Sequence, residues 1–204
     1  MTDPSDHWAQ VYAARATHEA SWYQIRPETS LKLIANLGIQ PDDAVIDVGG
    51  GASNLVDHLL EQGLTDVTVL DISTAALSAV KVRLGKGGDS VHWLAGDITH
   101  LRPQGPYRLW HDRAVFHFLT AADDRRTYLA TLSEALPRGG FAIMATFAED
   151  GPERCSNLPV RRYSPDLLAA ELGQGFELIQ SLRETHVTPA QGEQKFIYGV
   201  FRRC

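Results

Sequence analysis

Residues 44–55 read AVIDVGGGASNL, and the rest of the predicted fold follows from this stretch. An apolar run suited to a buried parallel strand stops at three consecutive glycines, and apolar residues resume at helical spacing from Leu55. The pattern predicts a strand, a tight loop and a helix. Glycine permits positive φ angles and close approach of a ligand, and the start of a helix offers unpaired N–H groups. We therefore expect the loop to cradle a cofactor.

The residues around the glycines indicate which cofactor is bound. A dinucleotide fingerprint, G-x-G-x-x-G, would place a glycine at position 54, where this chain has Asn54. Asp47 lies two residues before the first glycine. A carboxylate there would repel a diphosphate but suits a ligand that carries an ammonium group. The loop is thus a poor match to a dinucleotide site.

Two further acids end the next two predicted strands. Asp71 follows the apolar run at 67–70, and a carboxylate at that position can accept both hydroxyls of a ribose. Asp97 follows the run at 91–95 and precedes Ile98. Three acids in this order, the first beside a glycine-rich loop, form a pattern that is stronger than any one of them.

Over residues 40–147 these features resemble the class I S-adenosylmethionine-dependent methyltransferases. The resemblance implies a seven-stranded sheet of order 3-2-1-4-5-7-6, S-adenosylmethionine as cofactor and S-adenosylhomocysteine as product. Its successive strands would end in the glycine-rich loop, a ribose-binding acid and an adenine-contacting acid. The predicted cofactor contacts are Asp47, Gly49, Gly50, Gly51, Ser53, Asp71, Ile72, Asp97, Ile98, Asp112 and Trp22.

Alternating strand and helix patterns predict an α/β fold in one domain, 1–204, with a doubly wound, mostly parallel sheet. Strands near 175–187 and 194–203 predict a C-terminal antiparallel hairpin, which replaces the second nucleotide-binding half of a dehydrogenase. Predicted helices span 52–62, 73–84, 123–136 and 164–172, and predicted strands span 66–71, 91–95, 107–112 and 140–147.

The N-terminal segment, 1–24, is rich in aromatic residues and predicts a short helix over 6–20. Trp8, Tyr12, Trp22 and Tyr23 either fasten this helix to the body or form a helical lid over the cofactor. A lid would exclude water, and aromatic faces attract a sulfonium cation.

Residues 112–118, DRAVFHF, follow the fourth predicted strand, where ligands of open α/β sheets bind. We predict His117 and Arg113 as the catalytic residues. His117 or His111 has a suitable ordinary pKa for a general base, although either could be structural. Arg113 could clamp a carboxylate of the cofactor or substrate, or pair with Asp112.

The long loop at 148–163 is the predicted substrate loop. Arg161 and Arg162 could bind an anionic acceptor or form a solvated charge pair, so we expect a small acceptor that is anionic or carries a thiol. The DRA segment is similar to those of some small-molecule thiol methyltransferases and some protein-lysine methyltransferases, and the second activity stays an alternative. A non-catalytic cofactor-binding module is another. The predicted acceptor contacts are Phe116, Phe147, Arg161 and Tyr163.

Composition limits the partners. Acidic residues outnumber basic ones 25 to 19, and no long basic cluster occurs, so nucleic acid is not an expected substrate. No apolar run approaches the ~20 residues that span a bilayer, and the N-terminus lacks leader features, so we expect a cytoplasmic monomer or homodimer without membrane contact. The two cysteines, Cys155 and Cys204, lack metal-ligand spacing, and no metal site is predicted.

Overall fold

The computed structural model describes residues 4–14 and 17–204. Its main sheet has seven strands in the order β3-β2-β1-β4-β5-β9-β8, in which β9 runs antiparallel to both of its neighbours. The two short strands β6 and β7 form a separate hairpin. The last two strands therefore occupy the positions of strands 7 and 6 in the predicted order, which is confirmed. The strands are β1 (Val45–Val48), β2 (Val67–Asp71), β3 (Val91–Ala95), β4 (Leu109–Arg113), β5 (Phe141–Phe147), β6 (Arg154–Cys155), β7 (Leu158–Pro159), β8 (Phe176–Val187) and β9 (Glu193–Arg203).

Helix boundaries agree with the sequence to within one or two residues except at the glycine-rich loop and in the N-terminal segment. The predicted helix over 52–62 begins at Leu55, because a turn comes first, in which the Ser53 N–H donates to the Gly50 carbonyl at 2.8 Å. The helix predicted over 6–20 ends at Ala14, and residues 15 and 16 lie outside the described part. The helices are α1 (Pro4–Ala14), α2 (Glu28–Asn36), α3 (Leu55–Glu61), α4 (Thr74–Leu84), α5 (Ala122–Ala135) and α6 (Pro165–Leu172).

Serine side chains cap the N-termini of two helices. The Ser73 hydroxyl accepts the Ala76 N–H at 3.2 Å at the start of α4, and the Ser164 hydroxyl accepts the Leu167 N–H at 3.2 Å at the start of α6. Each satisfies a backbone donor that the helix itself leaves unpaired. The N-terminus of α4 is thereby fixed directly after Asp71, at the edge where the parallel strands end.

Apolar side chains bury both faces of the sheet. Helices α2, α3 and α4 cover one face with residues such as Leu31, Leu55 and Val80. Helices α5 and α6 cover the other, where Trp110 is fully buried and its indole N–H donates to the Tyr128 hydroxyl at 2.8 Å. Removal of this apolar surface from water on both faces stabilises the layers.

Residues 4–14 and 17–204 contain neither a helix that could span a membrane nor a cluster of metal-ligating side chains. None of the helices there combines the length and apolar character needed to cross a membrane. The same part of the chain holds no group of three or more His, Cys, Asp or Glu side chains arranged for a metal ion.

Candidate active site

A cavity of about 660 Å³ lies outside the C-terminal ends of the parallel strands. Ligands of open α/β sheets bind at this edge, and the volume is typical of small-molecule sites. The cavity is lined by Trp8, Tyr12, Trp22, Val48, Gly49, Leu70, Asp71, Ile72, Gly96, Asp97, Ile98, Thr99, Arg113, Ala114, Val115, Phe118, Leu119, Thr120, Asp124, Cys155, Leu158 and Pro159.

The glycine-rich loop packs too closely for larger side chains. Gly49 has a φ of 73°, and a Cβ there would overlap the Val115 side chain. A Cβ on Gly50 would overlap the Asp47 carboxylate. The loop backbone therefore lies directly over the acid that precedes it, as a cofactor cradle requires.

Asp71 is buried beneath the loop and the N-terminal helix. One carboxylate oxygen accepts the Ser73 N–H at 2.8 Å. Burial raises the Asp71 pKa to about 6, although hydrogen bonds from the Ser73 and Gly51 N–H groups act in the opposite direction. Burial, and then the charge of Asp71, raise the pKa of Tyr12 well above its ordinary value. Tyr12 and Asp71 therefore lie together, on the lid side of the predicted ribose site.

Asp97 and Ile98 line the same end of the cavity. The Asp97 carboxylate accepts both the backbone N–H and the hydroxyl of Thr99, at 2.8 and 2.7 Å. Ile98 is buried, and Ile72 adds a second apolar wall. A polar edge beside apolar walls suits an adenine ring.

A second compartment of about 40 Å³ adjoins the cavity. Trp22, Gly49 and Arg113 line both spaces, and Asp47 lines the smaller one. One oxygen of Asp47 contacts His111 Nδ1 at 2.7 Å. The other oxygen and the Nη2 of Arg113 are buried and have no hydrogen-bond partner among the described residues. A carboxylate oxygen and a guanidinium nitrogen that both lack hydrogen-bond partners in one compartment fit the ammonium and carboxylate groups of an α-amino acid.

Aromatic residues close the cavity on its outer side. The Trp8 ring contacts those of Phe118 and Trp22, with centroids 5.2 and 5.7 Å apart, and Tyr12 lies 5.9 Å from Trp22. All four line the cavity. The segment thus packs on the body and faces the ligand space, so both of its predicted roles are compatible with the geometry.

The structure corrects the prediction that His117 is a general base. His117 is fully buried and does not line the cavity. Its Nδ1 accepts the Phe147 N–H at 3.3 Å, and burial lowers its pKa to about 3. His111 is also buried, and its Nε2 contacts the Ser30 hydroxyl at 2.9 Å. Neither imidazole lines the large cavity, although His111 lines the second compartment beside Asp47.

Asp112 lies away from both compartments, which corrects its assignment as a cofactor contact. Its fully buried carboxylate accepts the Val115 N–H at 2.9 Å, the Phe116 N–H at 3.1 Å and the Tyr128 hydroxyl at 2.5 Å. Asp112 therefore shapes the turn after β4, and Arg113 does not pair with it.

The predicted acceptor contacts are also corrected. Phe116, Phe147 and Tyr163 are fully buried in the core and do not line the cavity. The Arg161 guanidinium forms an ion pair with Glu171 at 2.9 Å. The neighbouring Arg162 pairs with Glu153 at 3.1 Å. Because both arginines are paired outside the cavity, they provide no site for an anion.

Other residues form the acceptor side, and the sequence reasoning missed most of them. Phe118 lies one residue beyond the buried His117 and does line the cavity. The β6–β7 hairpin places three residues of the predicted substrate loop, Cys155, Leu158 and Pro159, at its wall. Burial raises the Cys155 pKa to about 11, so this side chain is a neutral thiol. The remaining lining residues on this side are Leu119, Thr120 and Asp124.

Comparisons with known proteins agree with this geometry. The family model described as a methyltransferase domain matches residues 45–140. One similar solved structure is the 1,6-didemethyltoxoflavin-N1-methyltransferase of Burkholderia thailandensis, with bound 1,6-didemethyltoxoflavin and S-adenosylhomocysteine. Its TM-score is 0.74 and its sequence identity 25%, and the match covers 98% of this chain and 86% of that one. The chain therefore carries a methyltransferase domain over residues 45–140, and its seven-stranded sheet fits the class I methyltransferase fold.

Two further comparisons place this methyltransferase among its relatives. A structure from work on conversion of a disulfide bond into a thioacetal group during echinomycin biosynthesis has a TM-score of 0.77 and 23% identity, covering 98% of this chain and 92% of that one. The eEF1A lysine and N-terminal methyltransferase of Mus musculus is 24% identical over 154 residues, which are 71% of this chain and 22% of the relative. The methyltransferase therefore spans about a fifth of the length of the curated relatives it matches.

The cofactor of this methyltransferase is S-adenosylmethionine, and its chemical groups fit the two compartments. Asp71 suits the ribose, and Asp97 with Ile98 suits the adenine ring. The unpaired atoms of Asp47 and Arg113 suit the amino-acid end. The sulfonium would then lie near Gly49 and Trp22, where the compartments meet.

Proposed function

We propose that this enzyme transfers the methyl group of S-adenosylmethionine to a small-molecule acceptor held between the aromatic N-terminal segment and the β6–β7 hairpin. The observation that carries the proposal is the largely apolar side of the cavity lined by Trp8, Phe118, Leu158 and Pro159. Such a wall suits a small aromatic or heteroaromatic molecule. The solved neighbour with bound 1,6-didemethyltoxoflavin, which matches 98% of this chain, adds support.

An uncharged acceptor now fits better than an anionic one. Arg113 is the one basic residue among the described residues that line the cavity, and it faces the amino-acid end of the donor. The acidic residue on the acceptor side is Asp124. An acceptor anion would meet that carboxylate without a compensating cation, so we favour a neutral nitrogen or sulfur nucleophile.

The chemistry is an in-line displacement. The acceptor lone pair forms a bond to the methyl carbon while the carbon–sulfur bond breaks, and its electron pair stays on sulfur to give S-adenosylhomocysteine. The enzyme contributes by holding the two atoms in line, about 3–3.5 Å apart, and by excluding water. A proton released by the acceptor would pass to Asp124 or solvent, because His111 and His117 are sequestered.

Methylation of a protein is the second candidate. The similarity to eEF1A lysine and N-terminal methyltransferases favours it. Asp124 is exposed at the rim of the cavity, where a cationic lysine or N-terminal amine could approach. An acidic residue at this position therefore favours a cationic acceptor, such as a lysine or an N-terminal amine.

The experiment incubates the protein and methyl-labelled S-adenosylmethionine with cell extract separated into protein and small-molecule fractions. We expect label in the small-molecule fraction, and less label at a limiting concentration of S-adenosylmethionine with the matched Asp71→Asn variant, whose affinity for the donor is lowered. Label mainly in protein would overturn the proposal and support the second candidate. Binding of S-adenosylhomocysteine without label in either fraction would indicate a non-catalytic module. The acidic balance of the chain further supports an enzyme without a nucleic-acid partner.

A further inference from the structure

A buried chain of hydrogen bonds runs from the terminal hairpin to Arg113. The Arg113 Nε–H donates to the Tyr198 hydroxyl at 3.0 Å, and that hydroxyl donates to Glu184 Oε2 at 3.0 Å. Burial raises the Tyr198 pKa to about 12, so the hydroxyl keeps the proton that it donates. The direction of each hydrogen bond is therefore fixed from the arginine to the glutamate.

The Arg113 guanidinium is held at two of its three nitrogens. Nε is bound by Tyr198, and Nη1 donates to the Trp22 carbonyl at 3.2 Å. The Phe196 ring lies 4.4 Å below the guanidinium. Nη2 lies 3.9 Å from Glu184 but makes no hydrogen bond to a described residue. One face of a fixed cation is thus left for a ligand in the small compartment.

The other oxygen of Glu184 fixes the segment that follows Trp22. Glu184 Oε1 accepts the Thr29 hydroxyl at 2.7 Å and the Gln24 side-chain amide at 3.5 Å. Gln24 lines the same compartment as Arg113 and Asp47. A mostly buried carboxylate costs desolvation energy, which multiple hydrogen bonds offset. Glu184 consequently joins three elements around the compartment: the segment at 24–29, β4 and β9.

We infer that Glu184, acting through Tyr198, is a positioning residue that holds Arg113 toward the α-carboxylate of the donor. Asp47, on the opposite side of the small compartment, takes the α-ammonium group. The terminal hairpin thereby determines how the enzyme recognises the amino-acid end of its cofactor. The inference depends on the cofactor assignment and is independent of the acceptor.

The test compares two ligands by calorimetry. S-adenosylhomocysteine carries the amino-acid end, whereas 5′-methylthioadenosine has the same adenosine and thioether without it. Tyr198→Phe removes the relaying hydroxyl and keeps the ring, and Glu184→Gln removes the charge. We expect both variants to bind S-adenosylhomocysteine about 10-fold more weakly and methylthioadenosine unchanged. The matched control is Glu177→Gln on the same strand, because Glu177 is exposed and pairs with Arg202 at the surface.

Three results would overturn the inference. One is unchanged S-adenosylhomocysteine affinity in Tyr198→Phe. Another is an equal loss for both ligands, because the hairpin would then support the whole site. The third is an unaltered protein that binds the two ligands equally. If Glu184→Gln does not fold, Tyr198→Phe decides the question. Normal binding of methylthioadenosine by Tyr198→Phe shows that this variant is folded. Failure to find an acceptor would contradict the proposed function and leave this comparison unaffected.

Discussion

Affinity for the cofactor should fall in mild acid, because Asp71 must be ionised to accept both ribose hydroxyls. Burial raises its pKa in the free protein to about 6. Ribose hydroxyls stabilise the carboxylate and lower its pKa in the complex. Binding therefore releases a proton below about pH 6, and the ligand competes with that proton. Affinity is full above the free-protein pKa and declines as the pH falls through it.

The expected loss of affinity follows from the titration of the Asp71 carboxylate alone. With a pKa of about 6, the carboxylate is about one-tenth ionised at pH 5, so S-adenosylhomocysteine should bind about 10-fold more weakly there than at pH 7.5. Asp71→Asn removes the charged acceptor, a loss of about 1.5 kcal/mol, or roughly 10-fold at pH 7.5. The affinities of the two proteins should consequently converge near pH 5.

Calorimetric titrations from pH 5 to 7.5 measure this dependence. Burial also raises the Asp112 pKa to about 6, but Asp112 lies away from the cavity and stays in the variant. A flat profile in Asp71→Asn would therefore assign the proton to Asp71. The same slope in both proteins, or no slope in the unaltered protein, would refute the reasoning.

Three more predictions concern the lid, the loop and a helix start. Deleting 1–24 should leave a folded sheet but weaken cofactor retention, measured as a faster dissociation of S-adenosylhomocysteine; an unchanged rate would reduce the segment to packing. Gly49→Ala should abolish detectable cofactor binding by calorimetry, because its Cβ would overlap Val115 and its φ is positive; near-normal binding would contradict the close approach. Ser164→Ala should lower the free energy of unfolding by about 1 kcal/mol in urea melts while cofactor affinity stays constant, and a larger effect on binding would disprove a purely structural cap.

The residues on the cofactor side of the site could be predicted because a local sequence pattern marks each of them. The acid before the glycines, the apolar run before Asp71 and the run before Asp97 each combine a strand with the residue at its end. Parallel strands then bring those ends to one edge. The C-terminal hairpin was also predicted, from two strand patterns joined by the turn at 188–192.

The acceptor half could not be predicted because turns decide which side chains face the cavity. Ala114 has a φ of 73°, and a single 3₁₀ turn spans Phe116–Phe118. This geometry buries Phe116 and His117 and leaves Phe118 at the cavity. A sequence with aromatic residues at both positions gives no sign of which one is exposed.

Pairing between distant residues was equally hidden. The sequence left Arg161 either as an anion site or as part of a solvated charge pair, but its partner Glu171 lies on α6, which packs beside it only in the fold. The role of Glu184 could not be predicted from the sequence because its partners, Thr29 and Tyr198, are 155 and 14 residues away. Charge alone does not predict which acidic and basic residues neutralise each other.

The residues proposed to bind the donor and those proposed to bind the acceptor come from different parts of the chain, which has an evolutionary consequence. Asp47, Asp71 and Asp97 all lie within the matched domain at 45–140, whereas Trp8 and the β6–β7 hairpin lie outside it. Under the proposed function, two sides of the acceptor wall come from flanking segments that hold none of these three acids. Mutations there would change the range of methyl acceptors while the residues proposed to bind the donor stay the same.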